Sequence, residues 1–161
     1  MDFTIRRADE SDRTYIQRLN FLADVHGDES RPLDDQTLPG VAAYVDAWDP
    51  DLDGGVIAFD EFRTPAGGAW LRHWESPEAR GHANLGPEIP EIGIAIEQRF
   101  YGHGLSKLLL DGVIALAREQ GATKIALSVA EDNTRARHVY EKYGFIDEPN
   151  APRPGILSME I

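Results

Sequence analysis

The residues with the clearest chemical potential are two closely spaced glycines that precede an amphipathic segment. Gly102 and Gly104 flank His103, and Ser106 and Lys107 follow in the first turn of a predicted helix. Glycines let the backbone turn tightly and point free N–H groups into one concavity, where a helix N-terminus adds partial positive charge. The pattern predicts a site for a phosphate or pyrophosphate. It is not a P-loop, and Lys107 stands where a dinucleotide-binding fingerprint needs a third glycine.

The segments around this turn predict a strand, a helix and a second strand. Residues 91–96 and 124–130 alternate bulky and small residues, so each predicted strand has one bulky face and one shallow face. Between them, apolar residues recur at helical spacing from Leu105 to Ala117, and Gly121 is placed to end the helix. This order implies parallel strands joined by a right-handed crossover. The shallow faces fit either a ligand groove or close packing against another helix.

Residues 91–145 resemble the acetyl-CoA-binding core of the GNAT superfamily of N-acetyltransferases. The resemblance rests on the strand, the glycine turn and the helix, followed by the pattern Asn-x-x-Ala-x-x-x-Tyr-x-x-x-Gly-Phe that begins at Asn133. The family signature Gln/Arg-x-x-Gly-x-Gly/Ala can start at Arg99, which fits it literally, or at Tyr101. We favour the Tyr101 register because it keeps the helix length and the spacing to Asn133 in step.

The resemblance implies an α/β fold with a mixed central sheet of about six or seven strands, parallel cofactor-binding strands in its centre and helices on both faces. We predict a single domain over residues 1–161. The order of elements in the N-terminal part of the chain agrees with this fold. It consists of a strand at 3–8, a helix from about 9–12 to 23, a helical region at 34–48, a hairpin of 56–63 and 69–75 closed by 64–68, and an irregular segment at 76–90. After the core, residues 146–154 are predicted as a loop and 155–161 as a final strand.

The resemblance also implies that acetyl-CoA is the acetyl donor. The glycine turn would hold the pyrophosphate through its backbone, and the splayed strands would hydrogen-bond the pantetheine arm. Asn133 is placed to cap the following helix and, by resemblance, contacts the same arm. The predicted cofactor-binding residues are Ile94, Ala95, Ile96, Tyr101, Gly102, His103, Gly104, Leu105, Ser106, Lys107 and Asn133.

Acetyl transfer to an amine requires a base, because the pKa of an alkyl ammonium group is about 10.4. Forming the neutral, reactive amine at pH 7 therefore costs about 4.6 kcal/mol. Glu91 opens the cofactor strand, where some GNAT enzymes carry a catalytic glutamate, and is the candidate base. A solvent-facing carboxylate is the alternative for Glu91, and Glu88 or a water chain are competing bases. Tyr140 coincides with the family's thiolate-protonating tyrosine and is the candidate acid, with a packed core aromatic as the alternative.

Composition narrows the possible partners. The 161 residues include no cysteine, and the histidines show no metal-ligand spacing, so we predict no metal site. A net charge of −12 argues against nucleic acid and suits a cationic acceptor. No apolar run is long enough to span a bilayer, and the N-terminus lacks the apolar core of a signal peptide. We therefore expect a cytoplasmic protein without membrane association.

The leading hypothesis is an N-acetyltransferase that transfers the acetyl group directly to a primary amine of a small molecule. The alternatives are a protein lysine or N-terminal acetyltransferase and a non-catalytic CoA-binding sensor. The amine would approach from residues 24–29 and 76–90, where Asp24, Asp28 and Glu29 either select a cation or form a solvated loop. The resemblance also suggests a possible homodimer.

Overall fold

A mixed sheet of seven strands carries helices on both faces. The computed structural model describes residues 1–161. The strands are β1 (Thr4–Arg7), β2 (Gly55–Phe59), β3 (Pro65–Arg72), β4 (Glu91–Ile96), β5 (Lys124–Ser128), β6 (Ile146–Asp147) and β7 (Ile156–Glu160). The helices are α1 (Arg13–Asp24), α2 (Thr37–Val41) with a following π-type turn (Ala42–Asp46), α3 (Leu105–Glu119) and α4 (Thr134–Tyr143). The strand order β1-β2-β3-β4-β5-β7-β6 confirms the predicted mixed α/β sheet.

The central strands β4 and β5 are the only parallel neighbours, and they touch at one point. Glu91 and Ala126 form their single register pair, and the Ala126 N–H donates to the Pro90 carbonyl at 3.1 Å. On its other side, β4 pairs with β3 from Glu91 to Ile96. The two parallel strands therefore separate after Glu91 and leave a gap in the middle of the sheet.

Each face of the sheet packs against its own helices. On one face, α3 contributes buried residues such as Leu109 and Val113, and Tyr140 of α4 packs against the same cluster. On the other face, α1 contributes Ile16 and Leu19, and the π-type turn contributes Tyr44. None of the helices combines the length and the apolar character that a membrane crossing requires.

Two segments have a different conformation from the predicted one. The turn between β2 and β3 lies at residues 60–64, because the Asp60 carboxylate accepts N–H groups of Phe62 and Thr64 at 2.9 and 2.8 Å. The predicted turn at 64–68 therefore falls largely within β3. Ile146 and Asp147 were predicted as loop, but they form the short strand β6 against β7. The prediction missed this strand because two residues are too few to show an alternating pattern.

Arg72 fixes the helical layer of one face to the sheet. Its Nε donates to the Ala43 carbonyl at 2.7 Å and its Nη1 to the Asp53 carboxylate at 2.6 Å. Its guanidinium also lies 4.7 Å from the ring centre of Trp74. Because Arg72 and Asp53 are both buried, this pair holds the turn that carries Tyr44 in a fixed place.

We expect Asp53→Asn to lower the free energy of unfolding by about 3–5 kcal/mol at pH 7, because it leaves the buried Arg72 charge without an anionic partner. Asp51→Asn is the matched control, since Asp51 is exposed in the same turn. Its effect should stay within about 0.5 kcal/mol. Urea unfolding measures both, and equal losses in the two variants would contradict the assignment.

The pH dependence of the free energy of unfolding gives a second measurement of the Asp53–Arg72 pair. Burial alone raises the pKa of Asp53, but hydrogen bonds from His73 and Asp49 and the charge of Arg72 lower it overall. A carboxyl whose pKa is lowered by folding stabilises the protein above its unfolded pKa of ~3.9 and loses this contribution as the pH falls through the folded value. The difference between wild type and Asp53→Asn should therefore shrink in acid below about pH 4.

Candidate active site

A cleft of about 1720 Å³ opens where β4 and β5 separate. Its walls come from the C-terminal half of α1 and the loop that follows, from β4, from the glycine turn and from α4. A ligand pocket for one small molecule is usually roughly 300–1,000 Å³. The cleft is larger than this range.

The glycine turn forms one end of the cleft. Gly102 and Gly104 adopt left-handed backbone angles, with φ of 83° and 76°, and Gly104 directly precedes α3. None of the backbone N–H groups from Gly102 to Lys107 donates to another protein group. No atom lies within 4 Å of the position that a Cβ would take at either glycine. Unpaired donors and open space meet here at a helix N-terminus, as an anion site requires.

The exposed edge of β4 forms the middle of the cleft. The bond from Ala126 to the Pro90 carbonyl shows that backbone groups of even-numbered residues face β5. By the alternation of a strand, the N–H and C=O groups of Ile94 and Ile96 then point into the gap. Those of Ala95 point to β3, where its register partner is Gly68. This strand edge can pair with an extended, amide-bearing ligand.

Most of the predicted cofactor-binding residues line this cleft. These are Ile94, Ala95, Ile96, Tyr101, Gly102, Gly104, Leu105, Ser106, Lys107 and Asn133. The exception is His103, whose exposed side chain lies beside Phe3 with 6.0 Å between ring centres. Asn133 caps α4 as predicted, since its side chain accepts the Ala136 N–H at 3.3 Å.

Arg99 lies outside the cleft. Its guanidinium sits 5.0 Å from the ring centre of Phe100, and its Nη2 reaches the Pro65 carbonyl at 3.5 Å. Tyr101, in contrast, lies on the cleft wall beneath the Arg135 guanidinium, 4.0 Å from its ring centre. This placement agrees with the signature register that starts at Tyr101.

Glu91 is buried at the point where the strands part, with 2% of its surface exposed. Its carboxylate accepts hydrogen bonds from the Tyr44 hydroxyl at 2.7 Å and from the Trp74 indole and the Ala83 N–H at 3.0 Å each. Burial raises the pKa of Glu91, and the three hydrogen bonds oppose that rise. The alternative of a solvent-facing carboxylate is therefore wrong. The competing base Glu88 is exposed and lies outside this cleft.

Sequence reasoning missed Tyr44 as a partner of Glu91. Tyr44 is buried and also lines the cleft. Its hydroxyl oxygen accepts a hydrogen bond from the backbone N–H of His82 at 2.7 Å. The His82 ring stacks on that of Tyr44, with 5.7 Å between ring centres. In the sequence, Tyr44 appears only as one member of an apolar helical face. No local signal connects it to a carboxylate 47 residues away.

Tyr140 faces the cleft from α4 and is partly buried. Its ring packs edge-on against Phe145 with 6.1 Å between ring centres, so it is a packed aromatic as well as a cleft residue. Burial, with the nearby Tyr101 adding to it, raises the pKa of Tyr140 to about 12. The phenol therefore stays protonated at neutral pH and has a proton to give.

Comparison with known proteins gives matches over much of the chain. The family model of the Acetyltransferase (GNAT) family matches residues 19–145. N-alpha-acetyltransferase 40 of Saccharomyces cerevisiae is 39% identical over 71 residues, which are 40% of this chain and 24% of the yeast protein. Mycothiol acetyltransferase of Rhodococcus erythropolis is 28% identical over 135 residues, which are 71% of this chain and 44% of the relative. The chain spans less than half the length of both.

Among solved structures, a Salmonella typhimurium protein described as an acetyltransferase, solved with its cofactor acetyl-CoA, has the same fold. The TM-score is 0.67 at 20% identity, over 99% of this chain and 94% of the other. The family match includes β4, the glycine turn, α3, β5 and α4. It confirms the predicted family resemblance in the segments that form the cleft. The chain therefore belongs to the GNAT family of acetyltransferases.

Proposed function

We propose that the protein transfers the acetyl group of acetyl-CoA directly to a primary amine of a small molecule. The observation that best supports this is the unpaired row of N–H groups from Gly102 to Lys107, which shares one cleft with the unpaired edge of β4. A ligand that fits both must join an anionic group to an extended amide-bearing arm. Pyrophosphate and pantetheine are joined in this way in acetyl-CoA.

The cofactor's charge must be held locally, because the protein as a whole carries −12. The N–H groups at the start of α3 would hold the pyrophosphate, with Lys107 and Arg135 also on the cleft wall. The Ile94 and Ile96 backbone would pair with the pantetheine amides, and Asn133 would contact the same arm. In this arrangement the thioester would lie between β4 and α4, on the side of Tyr140.

The amine must lose a proton before its nitrogen attacks the acetyl carbon. Glu91 can serve as the final acceptor, because burial has raised its pKa from that of an ordinary carboxylate. Tyr44 lines the cleft and donates its hydroxyl proton to the hydrogen bond with Glu91, and burial raises the pKa of its phenol well above the usual value. Tyr44 therefore passes a proton without becoming ionised. Its oxygen accepts a proton from the amine as its own proton moves to Glu91.

The leaving group requires a proton of its own. When the amine nitrogen bonds to the acetyl carbon and the carbon–sulfur bond breaks, the electron pair of that bond goes to sulfur. The Tyr140 hydroxyl then supplies a proton to the thiolate. No nucleophilic side chain is needed, so the acetyl group passes in one step from sulfur to nitrogen.

The acceptor half of the cleft favours a small molecule over a protein. Arg31, in the loop after α1, forms an ion pair at 3.7 Å with Asp132, in the loop after β5. Arg153 donates to the carbonyls of Gly81 and His82 and so ties the loop before β7 to the segment before β4. Loops tied together on two sides of the cleft support a small acceptor, whereas a peptide would need an open groove. There are two alternatives. One is a protein acetyltransferase, which the name of the yeast relative suggests, and the other is a CoA-binding sensor.

Thermal unfolding with acetyl-CoA tests the cofactor assignment. At about 100 times its Kd, acetyl-CoA should stabilise the protein by roughly 2.7 kcal/mol. For a domain of this size, each kcal/mol raises the Tm by about 2–4 °C. NAD and ATP are the controls and should give little shift. No shift with acetyl-CoA, or an equal shift with NAD, would overturn the proposed cofactor.

We expect Tyr140→Phe to lower kcat by more than about tenfold, because the thiolate loses its proton donor. The affinity for acetyl-CoA should change little, since only the hydroxyl is removed. Tyr143→Phe is the matched control, because the Tyr143 hydroxyl is already bonded to Asp111 at 2.6 Å. Steady-state kinetics measure kcat of both variants. An unchanged kcat in Tyr140→Phe would show that Tyr140 is not the acid.

We expect Glu91→Gln and Tyr44→Phe each to lower kcat at pH 7 by about 10²–10⁴-fold, because either change interrupts the proton path. Raising the pH toward the pKa of the amine should restore much of the activity in both variants, since the substrate then arrives neutral. A rate profile from pH 7 to 10 measures this recovery. A variant that loses activity but does not recover at high pH has a structural defect, and the residue concerned would then leave the proposed path.

A further inference from the structure

One buried side chain of the cleft has a hydrogen-bond donor that the protein leaves unpaired. Asn20, on α1, exposes 6% of its surface, and its Nδ2 has no hydrogen-bond partner. No other buried side-chain nitrogen or oxygen in residues 1–161 is left in this way. Nearly all buried polar groups in folded proteins are paired, because an unpaired one lowers stability. Since Asn20 also lines the cleft, its missing partner is a group that a ligand can supply.

Asn20 lies on the same side of the sheet as the proposed proton path. Its helix, α1, packs against β4 and against the π-type turn that carries Tyr44. Tyr44 in turn bonds to Glu91, the first residue of β4, at 2.7 Å. Both Asn20 and Tyr44 line the cleft. An acceptor whose amine meets Tyr44 therefore has Asn20 on the adjoining wall.

The partner of the Asn20 Nδ2 must be a hydrogen-bond acceptor, because an amide nitrogen can only donate. Carbonyl, hydroxyl and carboxylate oxygens all qualify, whereas an ammonium group has no lone pair to offer. The amine of the acceptor cannot fill this role in its charged form. A second group of the same molecule must therefore provide the oxygen.

The charge of the surrounding wall favours an uncharged oxygen. Asp24 follows Asn20 by four residues on α1, and side chains with this spacing lie on one face of a helix, with about 5–6 Å between Cβ atoms. Asp24 and Asp34 also line the cleft. Partial desolvation, with the charge of Asp34 adding to it, raises the pKa of Asp24 to about 6. Asp24 is thus mostly ionised at neutral pH and would repel a carboxylate beside Asn20.

The arginines of the loops on this side are bonded to other oxygens. Arg31 forms an ion pair with Asp132 at 3.7 Å, and Arg153 donates to the carbonyls of Gly81 and His82. Neither arginine is left without an oxygen partner that a ligand carboxylate would have to supply. An uncharged carbonyl therefore suits this wall better than a carboxylate does.

We propose that the Asn20 amide binds the carbonyl oxygen of a carboxamide on the acceptor, which makes the acceptor a primary amine that also carries a carboxamide. This inference rests on the proposed function, because it places the amine of the same molecule at Tyr44. A carboxamide matches the wall twice, since its oxygen accepts from Asn20 and its N–H groups can donate to Asp24. The donor that is unpaired in the free protein thus gains its partner when the acceptor binds.

Isothermal calorimetry in the presence of CoA tests the contact without requiring turnover. The probes are β-alaninamide, γ-aminobutyramide and δ-aminovaleramide, each compared with the branched alkylamine of the same shape: isopentylamine, isohexylamine and isoheptylamine. Wild-type protein should bind at least one amide about three- to tenfold more tightly than its alkylamine, the scale of one hydrogen bond between uncharged groups. The corresponding amino acid should bind more weakly than the amide, because its carboxylate meets the charge of Asp24.

Two variants show whether Asn20 causes this preference. Asn20→Leu keeps roughly the size of the side chain and removes the donor, so it should abolish the preference for the amide without lowering the Tm. Gln36→Met is the matched control, because Gln36 also lines the cleft but is exposed, and water can pair with its amide. It should keep the preference within about twofold of wild type.

Three results would overturn the inference. The first is a wild-type protein without any preference for an amide. The second is an amino acid that binds more tightly than its amide, which would show a carboxylate site. The third is a preference that survives in Asn20→Leu or is lost equally in Gln36→Met; survival together with a fall in Tm would show a structural role for Asn20.

The outcomes also separate this inference from the function on which it rests. If acetyl-CoA binds and alkylamines are acetylated, but amides gain nothing, the carboxamide contact is wrong and the transferase remains. If amides bind in an Asn20-dependent way without any acetylation, the contact stands and the proposed reaction falls.

Discussion

The cleft depends on one constraint, which is that two parallel strands in the middle of the sheet are joined at a single register pair. Glu91 and Ala126 make that pair, and the strands then separate. Backbone N–H and C=O groups inside a protein need partners, so the free edge of β4 at Ile94 and Ile96 is stable only beside water or a ligand. The glycine turn that follows β4 adds a second set of unpaired donors in the same cleft. A gap in the sheet thus becomes an elongated binding site.

The same junction explains why a carboxylate can be buried without a cation. Glu91 receives three hydrogen bonds, from a side chain of the π-type turn, from Trp74 and from the backbone of Ala83. Hydrogen bonds to the charged form oppose the desolvation that favours the neutral one. Arg72 stabilises this shell indirectly, because it holds the Ala43 carbonyl and packs on Trp74. Stability and the proposed chemistry therefore depend on the same few contacts.

Charge is distributed along the cleft in a way that net composition conceals. An overall charge of −12 would repel a polyanionic cofactor, yet the end near α3 offers N–H groups, Lys107 and Arg135. The opposite end is lined by the exposed carboxylates of Asp24 and Asp34. Separation of the two signs would orient the proposed reaction between an anionic donor and an amine, since each ligand is attracted to one end.

Local patterns in the sequence predicted most of the elements and the residues that line the glycine-turn end of the cleft. Alternating residues predict β4 and β5, helical spacing predicts α3, and a glycine turn with Asn133 and Tyr140 at fixed distances carries the family resemblance. The burial of Glu91, its hydrogen bond with Tyr44 and the place of Asp24 on the cleft wall, without Asp28 or Glu29, emerge only from the fold. Those contacts join segments far apart in the chain through irregular loops, and side-chain direction in such loops follows from packing that no local pattern encodes.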